Sequence, residues 1–330
     1  MSWRDSLKGD ALSWLREPDP INPAIRYFVL RDLLDRPADD PEVVAARSAI
    51  MTQGPVPVIL DAQHPDGYWE RPGGGYGKYH GTVWQIMLLS DLGADPTDAR
   101  VRRGCDYVLD HSIARNGGFA YTNATTPGGV VHCLNGNLLY GLIRLGYLDD
   151  PRLRQALDWQ VHAITGEDPM QYYPSGTSGP DFTCAINAMQ PCGWGATKAL
   201  KALSAVPPEQ RTAHMRRALE RGARFLLRYD LAQANYPFTG KVSSSWFKLG
   251  FPLSYWSDVL ETLAALVALG YGGDPRLAPA FQWLMSKQDA QGRWQLENAL
   301  NGKMWIDIEQ RGQPSKWITL RALRVLKAVA

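Results

Sequence analysis

Three of the four cysteines, Cys133, Cys184 and Cys192, fall in one stretch of the chain, with His132 beside the first of them. Thiolate and imidazole are the ligands zinc prefers, and three protein ligands with an open fourth position is the catalytic arrangement of that ion. The set therefore reads as a candidate zinc site of Cys133, Cys184, Cys192 and His132. No Cys-x-x-Cys pair tightens the spacing, so buried unliganded thiols and a catalytic or redox thiol remain open readings, as does a capping role for His132. Cys105 stands apart in an amphipathic segment and reads as a small core residue.

Carboxylates and aromatic residues supply the other candidates. The run Ser254-Tyr-Trp-Ser-Asp258-Val-Leu-Glu261 places Asp258 and Glu261 three apart on one helical face, behind Tyr255 and Trp256. A carboxylate shielded by those rings could serve as general acid or base, whereas an N-terminal-turn residue stabilised by the helix dipole is the competing role for Asp258. His80, between Tyr79 and Trp84, is a second candidate for proton transfer. Of the 12 tryptophans, Trp84, Trp194, Trp256 and Trp317 all open helical segments. With Tyr79, Tyr255 and the amide of Asn137 they could line an apolar substrate pocket or face a cation. The other four considered, Trp69, Trp159, Trp283 and Trp294, read as packing. Gly73–Lys78 lacks the order of a phosphate loop, and together with Ser175–Pro180 is expected to form a lid.

These residues are positioned by a repeated joint. Leu145-Gly146 is followed by Asp150-Pro-Arg-Leu153, and Leu269-Gly270 by Asp274-Pro-Arg-Leu277. The glycine can end one helix in the left-handed conformation, and the aspartate, with proline behind it, can open the next. Leu92-Gly93 with Asp95-Pro96, and Leu34 with Asp40-Pro41, are weaker copies.

Aligned on the joints, the chain divides into six helical pairs at intervals of roughly 60 residues. The first helices are expected to begin near Asn22, Tyr79, His132, Gln190, Ser254 and Pro314 and are mostly apolar. The second helices, such as Asp98 to Ile113, Arg152 to Ile164, Gln210 to Arg228 and Leu277 to Lys287, are amphipathic. Met1 to Leu15 can supply the partner of the sixth. Six pairs favour closure into an all-α (α/α)6 toroid, with residues 1–330 as a single domain, apolar helices inside and amphipathic ones outside. An apolar content of 45% supports a large core, and a net charge of +2 with no basic block argues against a nucleic-acid partner. No uncharged apolar run suggests a membrane span, and the charged N-terminal segment reads as that of a cytoplasmic protein.

The loops between pairs carry a family resemblance. Gln63-His-Pro-Asp-Gly67-Tyr-Trp69 and Gln288-Asp-Ala-Gln-Gly292-Arg-Trp294 both read Q-x-x-x-G-x-W, and Asn116-Gly117-Gly118-Phe119 is a degenerate third copy. This resembles the QW repeat of squalene-hopene cyclases and prenyltransferase β subunits, and the chain is similar to short bacterial proteins of that kind. The resemblance implies an α/α toroid in which Gln and Trp tie neighbouring pairs together, with inner-helix N-termini at the mouth of a central cavity. Asp181-Phe182-Thr183-Cys184 resembles part of the prenyltransferase zinc-ligand region, without its Tyr-His step. Cys192-Gly-Trp-Gly195 lacks the Cys-His pair of lanthionine cyclases. The Asp-x-Asp-Asp acid of class II terpene cyclases has no counterpart. The expectation is an enzyme of the terpenoid cyclase or prenyltransferase type acting on a small apolar, isoprenoid-like substrate, assisted by zinc and an acid such as Asp258. The alternative is a noncatalytic ligand-binding or scaffold toroid.

Overall fold

Asp98, Asp150 and Asp274 each begin a helix by accepting a hydrogen bond from the backbone N–H two residues on, at 2.8–3.0 Å. In every case that residue is an arginine whose guanidinium folds back on the same carboxylate. Arg152 also reaches Asp106 and Asp110 of the preceding outer helix. Gly93, Gly146 and Gly270, with φ of 73°, 84° and 87°, end the helices before these joints in the left-handed conformation. The joint near residue 95 differs from its expected form. Asp95 closes a turn on Thr97, and Asp98 is the cap.

The computed structural model describes residues 3–73, 75–121, 129–167, 178–238 and 240–330. Six inner helical segments are present: α2 (Pro23–Phe28, continued by a wider turn Val29–Leu33), α5 (Thr82–Asp91), α7 (His132–Arg144), α9 (Gly193–Ser204), α11 (Val259–Ala268) and α13 (Lys316–Ala328). Outside them lie α3 (Pro41–Thr52) with α4 (Pro55–Asp61), α6 (Ala99–His111), α8 (Pro151–Thr165), α10 (Ala213–Leu227) and α12 (Ala278–Ser286), and α1 (Ala11–Arg16) completes the sixth pair. Most inner helices start two to five residues later than the joints imply. The short strands β2 (Gln190–Pro191) and β4 (Pro314–Ser315), pairing with β1 (Thr183–Cys184) and β3 (Trp294–Gln295), take up two of those starts, and the Asp258 cap takes a third.

The pattern of burial follows from position. All residues from Thr82 to Ser90 of α5 are buried, because both sides of an inner helix meet protein. On α6 only Val101, Gly104, Cys105, Val108 and Leu109 are buried, a single stripe at helical spacing.

The ring closes. α5 packs on α7, α7 on α9, α9 on α11, α11 on α13, and α13 returns to α2 and its wide turn. At Gly93 a Cβ would stand 2.9 Å from the Phe28 ring, which marks the contact of α5 with α2. The closing seam is polar as well as apolar: Trp317 Nε1 donates to Asn22 Oδ1 at 2.9 Å, and Arg324 pairs with Asp32. The architecture is an all-α toroid of six helical pairs.

The two Q-x-x-x-G-x-W loops join neighbouring pairs by hydrogen bonds. Gln63 Nε2 donates to Arg100 O on the first turn of α6, and Gln288 Oε1 accepts from Lys8 N ahead of α1. Trp69 and Trp294 are fully buried, and their indole N–H groups donate to Ile59 O and Leu284 O of the preceding outer helix. Their backbone N–H groups donate to Thr82 and Thr319 on the next inner helix, and Phe119 N donates to Asn135 Oδ1 in the same way. Phe182 makes a fourth, unsignalled copy: it faces Gly222 of α10 as Trp69 faces Gly104 of α6. The stretch Pro41–Asp61 has the length and apolarity of a membrane span, yet it is two outer helices broken at Gly54.

Candidate functional site

The described residues line an open cavity of about 280 Å³ toward the C-terminal ends of the inner helices, opposite to the end expected. Phe251, Leu253, Trp317, Val325 and alanines of α11 and α13 form its apolar wall. Arg144, Lys201, Arg321 and Arg324 bring four cations to it, against the carboxylates Asp91 and Glu261. Helix register explains the set. Lys198 and Lys201 sit three apart on α9, Arg321 and Arg324 three apart on α13, and Tyr140 and Arg144 four apart on α7, each pair on one face.

The charges do not cancel pairwise. Lys198 and Lys201 share one carboxylate, Glu261, at 2.7 and 3.1 Å. Arg321 pairs with Asp258, and Arg324 with Asp32. Among the described residues Arg144 has no carboxylate within 4 Å; it donates instead to Tyr140 Oη at 2.8 Å and lies over the Phe28 ring. The Lys201 ammonium lies 4.2 Å from the centre of the Tyr140 ring. Burial works to raise the Tyr140 phenol, but the charges of Arg144 and Lys201 outweigh it and hold the group below its ordinary value. Glu261 is likewise held down at about 2: burial opposes its ionisation and the Lys198, Lys201 and Arg321 cations overcome it.

Asp258 is placed differently from the catalytic acid expected. It caps α11, Oδ1 accepting from Glu261 N at 2.7 Å and Oδ2 from Gly250 N at 3.1 Å, and both oxygens also meet Arg321. It is wholly buried and does not line the cavity. Arg321 donates to Gly250 O at 2.7 Å, so Asp258 and Arg321 together hold both backbone groups of Gly250. That fixes Phe251-Pro-Leu253, which projects into the ring, and Asn137 Nδ2 steadies the same segment by donating to Ser254 O. Asn137 is therefore a structural tie.

At the N-terminal end the aromatic residues pack on one another. Tyr79 lies edge-on to Trp84 at 4.9 Å and to Trp256 at 6.4 Å, Tyr255 edge-on to Trp256 and to Trp194, and Lys78 covers Tyr255. Tyr79 and Trp84 border only a 20 Å³ cleft, the size of a water, which shares Asp91 and Leu253 with the main cavity. Trp194, Tyr255 and Trp256 line neither space. Of the aromatic residues expected to meet substrate, Trp317 is the one that borders the main cavity, stacked on Phe251 at 4.2 Å. His80 stays at the rim, where its ring meets Trp305 and its carbonyl accepts from the Trp305 indole. Part of the expected lid, Gly74 and residues 175–177, lies outside the described residues.

The cysteine set does not fit a metal as placed. Cys133, Cys184 and Cys192 are close enough to influence each other electrostatically, but no three of these thiols and His132 bring their ligand atoms within 4.8 Å of one another. His132 has no nitrogen to offer: Nε2 donates to Gly179 O and Nδ1 accepts from Gln160 Nε2, both at 3.1 Å. Burial pushes the Cys133 thiol up to about 12 and that of Cys192 to about 11. Cys192 acts as the cap of α9, its sulfur accepting from Gly195 N.

Arg144, Lys201, Tyr140 and Arg324 were missed by sequence reasoning. For Arg144 and Lys201 the signal was a basic residue in the last turn of a helix expected to be inner and apolar.

No protein-family model matches the chain, and no curated protein does. Solved structures with some similarity include a type II terpene cyclase from Scytonema in complex with geranylgeranyl dihydroxybenzoate, at 16% identity over 94% of this chain and 87% of that one, TM-score 0.44. A GH76 α-mannanase from Bacteroides thetaiotaomicron matches at 11% identity over 75% and 68%, TM-score 0.39. Similarity at this level says nothing of this chain's activity.

Proposed function

We propose that the cationic cavity is the substrate site and that it takes a small, mostly apolar molecule carrying an anionic group, a short isoprenoid phosphate being one example. The observation that carries this reading is the Arg144 guanidinium, facing the cavity without a carboxylate partner among the described residues while Lys198 and Lys201 share a single one. An anion there completes the charge balance, and the Phe251, Trp317 and Val325 wall accepts the hydrocarbon. The volume lies just below the range of about 300–1,000 Å³ for small-molecule sites, which favours a short chain over a long polyprene.

The chemistry this supports is transfer or cyclisation begun by departure of the anionic group. Arg144 and Lys201 stabilise the charge that builds on the leaving oxygens, and Tyr140, its phenol held down by the same cations, gives that oxygen a proton. Cyclisation begun by protonating an alkene is disfavoured, because Asp258 is committed to its cap and to Arg321.

Calorimetry with dimethylallyl phosphate, an allylic ester able to lose its phosphate, with dimethylallyl alcohol and with inorganic phosphate tests the reading. The alkyl phosphate is expected to bind at least tenfold more tightly than either fragment, and Arg144→Met to remove that preference. Equal binding of alcohol and phosphate ester, or wild-type affinity in Arg144→Met, overturns it. Binding without turnover in any such ester would leave the chain a noncatalytic carrier.

A further inference from the structure

On the outer helices, and not among the residues that line the cavity, two histidines and a glutamate converge. His162 lies in the last turn of α8, Glu167 just beyond the left-handed Gly166 that ends it, and His214 at the second position of α10. One ligand atom from each lies within 4.8 Å of the others, and among the described residues no further group of three meets that distance.

We infer that His162, Glu167 and His214 form a binding site for a divalent transition ion of the zinc type, clamping α8 to α10. Two imidazoles and a carboxylate are a three-ligand zinc set that leaves a fourth position for water. The histidines come from different helices, with rings 4.6 Å apart and perpendicular, an arrangement that two ligands of one ion can adopt.

The tautomer of His162 is set in the way metal-bound histidines usually are. Its Nδ1 lies 2.8 Å from Asp158 O, and a carbonyl only accepts, so Nδ1 carries the hydrogen and Nε2 the lone pair. On His214 the converging atom is Nε2, 3.2 Å from Glu167 Oε1 and 2.9 Å from Thr165 Oγ1. Metal binding replaces the proton on that nitrogen and leaves the carboxylate beside it. Arg217, 3.5 Å from Glu167, competes for the carboxylate from the exposed side. Residues with a carbonyl-oriented histidine, an anionic oxygen and a second imidazole suit zinc, nickel or copper better than calcium or magnesium, which take oxygen.

Chelator-stripped protein titrated with zinc chloride tests the site, alone and against a chromophoric chelator. The expected result is one zinc per chain, a midpoint of thermal unfolding that rises with zinc concentration, and at least hundredfold weaker binding in His162→Gln, His214→Gln and Glu167→Gln. Glu167 is half exposed, so its substitution keeps the test valid should a histidine variant fold poorly. Cobalt in place of zinc is expected to give visible bands without a thiolate charge-transfer transition, and the triple variant Cys133→Ser, Cys184→Ser, Cys192→Ser to bind zinc as the wild type does. Absence of stoichiometric zinc, unchanged affinity in Glu167→Gln and both histidine variants, or loss of zinc in the cysteine variant would each overturn the assignment. None of these outcomes depends on the cavity or its ligand.

Discussion

Replacing Asp258 by asparagine separates a structural acid from a catalytic one. The carboxylate takes hydrogen bonds from Glu261 N, Gly250 N and the Arg321 guanidinium, with no exposed surface. Asparagine keeps one acceptor, enough for the cap, but turns an NH2 group toward Gly250 N–H or Arg321, a donor against a donor. It also leaves Arg321, 15% exposed at its side chain, without its closest counter-charge. Loss of a cap costs about 1 kcal/mol, and breaking a buried pair by neutralising one partner about 3–5 kcal/mol. A loss of about 3–5 kcal/mol is therefore expected for Asp258→Asn, read as a lower urea midpoint with unchanged m-value. Adding Arg321→Met should restore at least about 1 kcal/mol, since it removes the stranded charge. The same variant should weaken ligand binding in the cavity, because Gly250 loses an anchor and Phe251 and Leu253 shift. A loss below about 1 kcal/mol together with abolished turnover would refute this reasoning and make Asp258 the catalytic acid.

Other consequences are as direct. Burial, opposed by the hydrogen bond to Gly179, lowers His132 from 6.5 to about 4, so between these values the unfolded chain binds the extra proton and stability rises with pH. The contribution is complete above about pH 6.5 and lost as pH falls toward 4, about 3 kcal/mol in all; denaturation curves of wild type and His132→Gln should differ in slope across that window and run parallel above it. Trp69→Ala should cost about 3–5 kcal/mol, and a loss under about 1 kcal/mol would show that the QW contact does not tie the pairs. At Gly136 a Cβ would stand 2.3 Å from the Lys198 carbonyl carbon, so Gly136→Ala should prevent native packing of α7 on α9. Gly146→Ala meets only Pro96 at 3.8 Å and should cost about 1 kcal/mol through its positive φ; equal losses at the two glycines by thermal unfolding would contradict the ring register.

The architecture was legible because it rests on local rules. Gly146 and Gly270 need only a backbone conformation, Asp150 and Asp274 only the next turn, and Gln63, Trp69 and Trp294 of the QW loops contact helices that follow or precede them closely. The site was not legible, because its members meet across the ring. Nothing near Arg144 in sequence says that Lys201 and Arg324 will face the same space, and Asp258 reveals its role only through Arg321 on the last helix. Cys133, Cys184 and Cys192 drew attention by their chemistry, yet burial and a committed His132 decide their state. His162 and His214 were passed over since they lie on outer helices, where solvent alone accounts for a polar residue.

The seam between α13 and α2 governs how the chain can acquire its structure. Trp317 and Asn22 are 295 residues apart, and Lys8 and Gln288 are 280 apart, yet both contacts belong to the finished ring. During synthesis α2 emerges with its Phe28 side exposed, and α13, which covers it, is made after every other helix of the ring. Folding can accumulate pair by pair, but the closing step must await that helix and orders a very long loop at once. A nascent chain of this toroid therefore carries an adhesive open edge for most of its time on the ribosome, when pairing with another copy is the competing outcome.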